Sequence, residues 1–311
     1  MPRKPICSQL YLQLLIILNF KAMLNRNHKI LTVAFAIFGQ YMLQSCTEKM
    51  NMELDSTYTH CVIYGEITTD TTAHRVRITR SAGYFSNKPV EPISGATLTI
   101  TDSESNTYPL TERKTEPGSY YTDSSVYGVP GRTYTLNVSN VDLLGDGVLS
   151  SYTATSEIKP SVKIDSIDTE YDDDWEMWKV KAWAKDPEQT VDYYMFKTLI
   201  NGTLYSDSLA NLFITDDKFF NGNYTYGITC NVFTEKDTLK TGYNVTLEIC
   251  GITEDYYNFL LETQMLISYQ NPMFSGPPSN ARTNFNNDAF GYFAAYSISS
   301  SSNKVRSGRK E

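Results

Sequence analysis

From residue 61 onward, short runs of alternating apolar and polar residues recur between turn-forming clusters, the spacing of strands with one buried face. Cys61-Val62-Ile63-Tyr64-Gly65-Glu66-Ile67 reads as a first strand. His74 to Arg80 reads as a second, with Val76 and Ile78 on one face and Arg75, Arg77 and Thr79 on the solvent face. The pattern returns in Ala96-Thr97-Leu98-Thr99-Ile100 and in Tyr134-Thr135-Leu136-Asn137-Val138, and Tyr152 and Thr153 belong to a last strand of this set. Ser94-Gly95, Asp102 to Asn106, Pro117-Gly118 and Pro130-Gly131 supply the turns. Short strands with closely spaced turns predict an antiparallel sandwich, immunoglobulin-like or transthyretin-like, over residues 58–157.

Lys159-Pro160-Ser161 marks a boundary, because proline restricts the residue before it and interrupts a ladder. A second β-rich domain is expected over 158–300, beginning with Val162 to Thr169. In the next run Trp178, Val180, Ala182 and Ala184 share one face, and Trp175, Met177, Lys179, Lys181 and Trp183 the other. The tryptophans therefore make no single stripe, and core and interdomain packing accounts for them better than a carbohydrate platform does. Further strands are predicted at Tyr193 to Ile200, Leu209 to Ile214, Tyr224 to Phe233 and Tyr243 to Ile249, with turns at Asn201-Gly202, Asn221-Gly222 and Lys240-Thr241-Gly242. After Gly251 the period changes. Thr253 is placed to cap a helix with Glu254 and Asp255 in its first turn, and Tyr256, Phe259, Leu260, Thr263 and Ile267 approximate one helical face packed on a sheet.

Asn271 to Tyr296 opens with Pro272, Pro277, Pro278 and several Asn residues, then resumes a strand pattern at Gly291-Tyr292-Phe293. A connection this long needs a reason in a compact domain. It is expected to fold over one end of the C-terminal unit, with Met273, Phe274, Tyr292 and Phe293 offered as a partner surface and core plugging as the alternative. Residues 301–311 read as a polar tail.

Charge changes the picture at the N-terminus. Residues 1–45 hold Arg3, Lys4, Lys21, Arg26 and Lys29 and no acidic residue. Taking those 5 from 27 basic residues leaves 22 against 35 acidic ones, a formal charge of −13 for the part beginning at Cys46. An acidic body lacks the basic footprint that displaces counterions from phosphates, so no nucleic acid is expected as partner. The apolar runs Leu10 to Leu18 and Ile30 to Phe38 are both shorter than the roughly 20 residues a spanning helix needs. The second has the layout of an export signal over 23–45, and 1–22 reads as an upstream extension before Met23. Leu43-Gln44-Ser45-Cys46 resembles the lipobox of bacterial lipoproteins, which implies acylation of Cys46, a tether over 46–57 and a lipid anchor in the membrane. Of the other cysteines, Cys7 leaves with the leader and Cys61, Cys230 and Cys250 are far apart. An exported compartment permits disulfides, so a Cys230–Cys250 bridge stands against two reduced, buried thiols.

Chemistry is sparsely signalled. His60 and His74 lack a ligand pattern for zinc, and phosphate loops and nucleophile elbows are absent from the sequence, so no cofactor and no metal is expected. Asp172-Asp173-Asp174 and Asp216-Asp217 are the nearest cation candidates, and hydrated acidic turns explain them without an ion.

The lipobox-like segment, Cys61 to Ile67, Gly95 to Ile100, Pro117-Gly118-Ser119-Tyr120, Gly131 to Leu136, Asn271-Pro272-Met273-Phe274 and Asn284 to Tyr296 occur in an order that resembles an outer-membrane lipoprotein family of the Bacteroidota, family 4249 among domains of unknown function. The resemblance covers about 46–300. It implies a lipid-anchored protein of the cell outer membrane and raises an accessory role in uptake, with an outer-membrane protein as partner. The chain is expected to be a non-catalytic binding or assembly module, with an uncharacterised hydrolase and a structural adhesion protein as the competing readings.

Overall fold

The computed structural model describes residues 59–82, 88–205, 208–234, 238–268 and 280–306. The leader, Cys46, the tether, Met273 and Phe274 lie outside the described residues. Among the described residues no helix is long and apolar enough to cross a membrane.

Alternation along the first half becomes strands with one buried face. β1 (Cys61–Thr68) buries Cys61, Ile63 and Ile67, and β2 (Arg75–Arg80) buries Val76 and Ile78. β3 (Thr97–Asp102) contributes Leu98 and Ile100 to the same core, whereas Ala96 lies just before the strand and is only partly buried. Two strands had no clear alternation to reveal them, β4 (Thr107–Glu112) and β5 (Ser119–Tyr121). β4 carries Pro109, which pairs with Thr99 of β3, while β5 meets only Thr111 and Glu112. Pro109, having no N–H to offer, thus sits where β4 has no second neighbour. β6 (Thr133–Asp142) and β7 (Leu149–Glu157) complete the first half.

The second half is equally rich in strands: β8 (Ile164–Asp172), β9 (Met177–Lys185), β10 (Tyr193–Ile200), β11 (Thr203–Leu204), β12 (Phe213–Asp216), β13 (Tyr224–Phe233) and β14 (Asn244–Ile252). The helix α1 (Glu254–Ile267) and the long β15 (Phe290–Lys304) follow. Asn201 and Gly202 both take positive φ, 51° and 80°, as a two-residue hairpin between β10 and β11 requires.

Among the described residues, twelve strands form one sheet in the order β11-β10-β14-β15-β1-β2-β5-β4-β3-β6-β7, with β12 also on β10, and three form a second sheet in the order β13-β9-β8. β15 joins the two halves of the large sheet, running parallel to β1 on one side and antiparallel to β14 on the other. Its two faces serve different cores. Phe293 and Ala295 enter the N-terminal core with Ile63, Ile78, Leu98 and Leu136. Tyr292, Ala294 and Tyr296 point the other way, into a cluster with Met195, Cys250, Tyr256 and Leu260 beneath α1. A third core lies between the small sheet and the β10–β14 part of the large one, built on Trp178, Val180, Phe196, Phe233, Leu247 and Ile249. The first half of the large sheet curls until β7 lies beside β15, where the Ala295 N–H donates to Ser156 Oγ at 3.0 Å.

The helix begins as its sequence dictates. Thr253 Oγ1 accepts the Tyr256 N–H at 3.3 Å, and Tyr256, Phe259 and Leu260 are buried. Ile267 departs from the expected face and is exposed.

Three expectations are corrected. The strand runs on to Lys304, so 301–304 are not tail: Ser301, Ser302, Asn303 and Lys304 pair with Leu247, Thr246, Val245 and Asn244. Backbone ladders tolerate serine, and the Asn303 amide adds a bond to the Ile167 carbonyl at 2.9 Å. The described part of the long connection, 280–289, is tied chiefly to the N-terminal sandwich instead of the C-terminal unit: Asn284, Asn286 and Asn287 bond Thr155 O, Thr153 N and Ser151 O of β7. Cys230 and Cys250 are free thiols. Val245, Leu247 and Ile249 of β14 face the core that holds Cys230, whereas Cys250 faces the core under α1, so the two sulfurs are on opposite sides of a sheet.

Candidate functional site

The side chains that most often carry chemistry are committed to the interior. Burial pushes the thiols of Cys61, Cys230 and Cys250 up to about 12, far from a reactive thiolate. His74 is buried, its Nε2 is 3.2 Å from the Val126 carbonyl, and burial holds it below the ordinary histidine range. His60 stacks on Phe290 with ring centroids 4.3 Å apart, and its Nδ1 lies 3.0 Å from the Asp288 carbonyl.

The acidic pairs resolve in different ways. In the β8–β9 turn, Asp172 Oδ1 accepts the N–H groups of Asp174 and Trp175, and Oδ2 pairs with Lys179. Asp216 pairs with Lys218 at 2.7 Å, while its neighbour Asp217 turns inward. There it meets Asp186, which follows β9, and Asp192, which precedes β10, with carboxylate oxygens of all three within 4.8 Å. Oxygen donors of this kind suit a hard cation. They also have structural work within the chain: Asp186 accepts the Tyr194 hydroxyl at 2.7 Å and the Gly222 N–H at 3.0 Å, and Asp217 accepts the Asp192 N–H at 2.8 Å. The trio thereby pins the β9–β10 and β12–β13 connections together. An adjoining cavity lined by Asp186, Tyr194, Phe196, Phe220, Ile228 and Cys230 has a volume of about 30 Å³, the space of roughly one water and far below that of a metabolite pocket.

Crowding of negative charge has a consequence for stability. Burial first, then repulsion from Asp186 and Asp217, raises the Asp192 carboxyl above its ordinary 3.8, against the Thr190 hydroxyl that donates to it at 2.6 Å. A raised carboxyl favours the fold while protonated and weighs against it once ionised. Asp192→Asn keeps an acceptor for Thr190 and removes the charge. It is expected to raise the thermal midpoint at pH 7.5 by about 1–4 °C, with the gain shrinking as pH falls toward 4. A thermal melt showing no gain, or a gain that grows in acid, would contradict this account.

Between β12 and β13 the chain passes from the large sheet to the small one. β12 lies at an edge of the large sheet and β13 at an edge of the small one. Between residues 213 and 233, Phe213, Phe219, Tyr226, Ile228 and Val232 are exposed, Phe219 at 96% and Tyr226 at 84%. Tyr226 stands opposite Trp183 of β9, and its ring is 4.9 Å from that of Tyr224. Gly227 makes room for this group. Its φ is +80°, and a Cβ there would come within 2.7 Å of the Trp183 ring. Of the other tryptophans, Trp178 is in the core and Trp175 is exposed. Register places Tyr226 and Val232 opposite Trp183 and Lys179, away from the core, whereas Ile228 lies opposite the inward Ala182 and Phe213 opposite the core residue Phe196.

Tyr292 and Phe293, expected on a partner surface, are buried on opposite faces of β15 and line two different cores. The alternation of a strand sealed on both faces explains why both could be apolar without either being exposed. The Asp186–Asp192–Asp217 grouping was missed because it joins residues from both sheets, and the exposure of Phe219 and Tyr226 because it depends on what the finished fold leaves uncovered.

No curated protein matches the chain. A DUF4785 family protein of Legionella pneumophila is similar in structure over 61% of this chain and 52% of that one, at 8% identity and a TM-score of 0.25. The chain thus spans about half the length of that protein. A family model described as domain of unknown function (DUF4249) matches residues 47–302, which takes in every strand of both sheets except the last two residues of β15, and the chain belongs to that family.

Proposed function

We propose that the chain is a lipoprotein anchored through Cys46 in a bacterial outer membrane, working there as a non-catalytic binding or assembly module with an outer-membrane protein as partner, accessory to uptake. The observation that carries the binding role is the exposure of two aromatic rings, Phe219 in the turn between β12 and β13 and Tyr226 on the edge strand of the small sheet, both standing almost wholly in solvent. Aromatic side chains supply the central anchors of protein interfaces because they bury much area at little conformational cost. The buried thiols and the buried His74 support a role in binding over one in catalysis. The lipobox-like Leu43-Gln44-Ser45-Cys46 supports the anchor.

Phe219→Ser and Tyr226→Ser, made separately, are expected to reduce recovery of copurifying outer-membrane proteins at least about fivefold each, the effect of losing roughly 1 kcal/mol or more at a hot spot. Their thermal midpoints should stay within about 2 °C of the parent, because neither side chain is in a core. Unchanged recovery in both variants would remove the partner role of these two side chains.

A further inference from the structure

The β6–β7 connection, Asp142 to Leu149, carries three large aliphatic side chains out in water: Leu144 is 66% exposed, Val148 67% and Leu149 60%. Nothing in the loop's own packing explains them. Leu143 packs against the N-terminal core, but the next apolar groups turn away from it.

The backbone beneath them is unusually well supplied with partners. Asp142 Oδ1 accepts the N–H groups of Gly145 at 2.7 Å and Asp146 at 3.1 Å, and its Oδ2 accepts that of Gly147 at 3.2 Å. Asp146 Oδ1 accepts the Val148 N–H at 2.9 Å, and Arg80 Nε donates to the Leu143 carbonyl at 2.7 Å. A loop so satisfied sheds little hydrogen bonding with water when it moves into a less polar medium.

Its position in the fold indicates which medium. Arg80 ends β2, and the next residue, Ser81, donates its N–H to the His60 carbonyl at 2.9 Å, where the chain enters the first strand. The start of β7 is held to the same end by Asn287, whose amide bonds the Ser151 carbonyl at 2.8 Å, and His60 meets the neighbouring Asp288. The aliphatic tip therefore shares one pole with residue 60. β15 leads away from that pole: its fifteen residues span roughly 50 Å at 3.3–3.4 Å each, and the paired ends of β14 and β15 lie at the far end of it. Twelve residues, 47–58, separate Cys46 from the first described one, a reach of at most about 45 Å even when fully extended.

From this placement we infer that the 142–149 tip enters the lipid interface next to the anchor, with Leu144, Val148 and Leu149 in the headgroup–acyl boundary. The inference rests on the proposed acylation of Cys46, which keeps the pole that carries residue 60 within that reach of the bilayer. The tip contains Asp142 and Asp146 and no basic residue, so its chemistry fits a zwitterionic lipid surface held by aliphatic insertion, not an anionic one held by charge. The insertion sets the orientation of the whole body, presenting the end that holds the β10–β11 and β8–β9 turns away from the bilayer.

The test uses the mature protein extracted from membranes, as Leu144→Trp and, for comparison, Val191→Trp on the β9–β10 connection, which is 66% exposed. Each is reconstituted into phosphatidylethanolamine–phosphatidylcholine vesicles with brominated acyl chains, after melts confirm parental stability. The emission added at 144 should shift to the blue and be mostly quenched, and that added at 191 should be neither. Equal, unquenched emission from both positions overturns the inference. So does emission at 144 that shifts only in native outer-membrane fragments, which would assign the tip to a protein partner. The intact mass of the same samples reads the anchor separately. An acylated, unquenched protein defeats the tip alone, an unacylated one defeats the anchor, and quenching of either form upholds insertion.

Discussion

Gly291→Ala is expected to abolish the folded protein, leaving no cooperative unfolding transition and little chain in the native membrane fraction. Gly291 opens β15 at the point where it pairs in parallel with Ile63 of β1. Its φ is +97°, and a Cβ built there would lie 2.0 Å from the Ile63 carbonyl oxygen and 2.8 Å from the carbonyl carbon. Both atoms are backbone, so relief requires β15 to part from β1, and with it Phe293 and Ala295 from the N-terminal core. Steric conflict and a left-handed conformation together put the cost on the order of 4–5 kcal/mol or more, comparable to the entire stability of many domains. Gly202→Ala is the comparison. It also has positive φ, +80°, but nothing lies within 4 Å of its added Cβ, and it should cost only about 1 kcal/mol. Urea unfolding of both variants checks the pair. A Gly291→Ala protein as stable as Gly202→Ala would mean that β15 does not hold this register.

Strands β9 and β15 show where sequence reading succeeds and where it stops. Alternation in Trp178, Val180, Ala182 and Ala184 predicted a buried face that the structure has, because a strand covered on one side must repeat its apolar residues every second position. Thr253 and the spacing of Tyr256, Phe259 and Leu260 predicted the helix for an equally local reason. Phe290 to Tyr296 has no such alternation, since cores press on both of its faces, and the pattern could not show which strands flank it. Parallel pairing of β15 with β1 joins residues more than two hundred positions apart, a relation that leaves no local trace. The candidate sites share this limit. Asp217 was legible as an acidic residue, but Asp186 and Asp192 join it only after β9, β10 and β12 are in place. Phe219 and Tyr226 looked like any aromatic residues of a β-protein until the fold left one uncovered in a turn and the other on an edge strand. Cys230 and Cys250 looked equally free to meet, and the parity of one residue on β14 decided against it.

Long-range assembly also leaves a charge in an unexpected place, and Lys197→Met should expose its value. Lys197 of β10 donates from Nζ to the Tyr296 hydroxyl at 2.7 Å, and that hydroxyl donates to Glu66 Oε2 at 2.6 Å, so one chain of bonds ties β10, β15 and β1 together. Glu248 of β14 stands opposite Lys197 in register. Burial alone would push the ammonium down, yet Glu66, with Cys250, Tyr64 and Glu248 adding to its effect, holds it above its ordinary 10.5. Its contribution is therefore complete below that value and is lost only as pH rises through the higher folded one. Burial raises the Glu248 carboxyl above 4.5, and Lys197 is the neighbour that pulls it back down. Methionine fills much of the same volume but leaves the carboxylates without their cation. Breaking such a largely buried grouping should cost about 2–4 kcal/mol at pH 7.5, or roughly 5–12 °C in thermal midpoint. The pH dependence separates charge from packing. Without Lys197, ionised Glu248 opposes the fold more strongly, so the deficit should grow with pH above 4.5 and narrow as Glu248 takes up its proton in acid. Urea unfolding of parent and variant at pH 7.5 and pH 5 measures both gaps. A smaller gap at pH 5 is the expected result, whereas equal gaps would assign the loss to the missing methylene and ammonium packing and remove the electrostatic link between the strands.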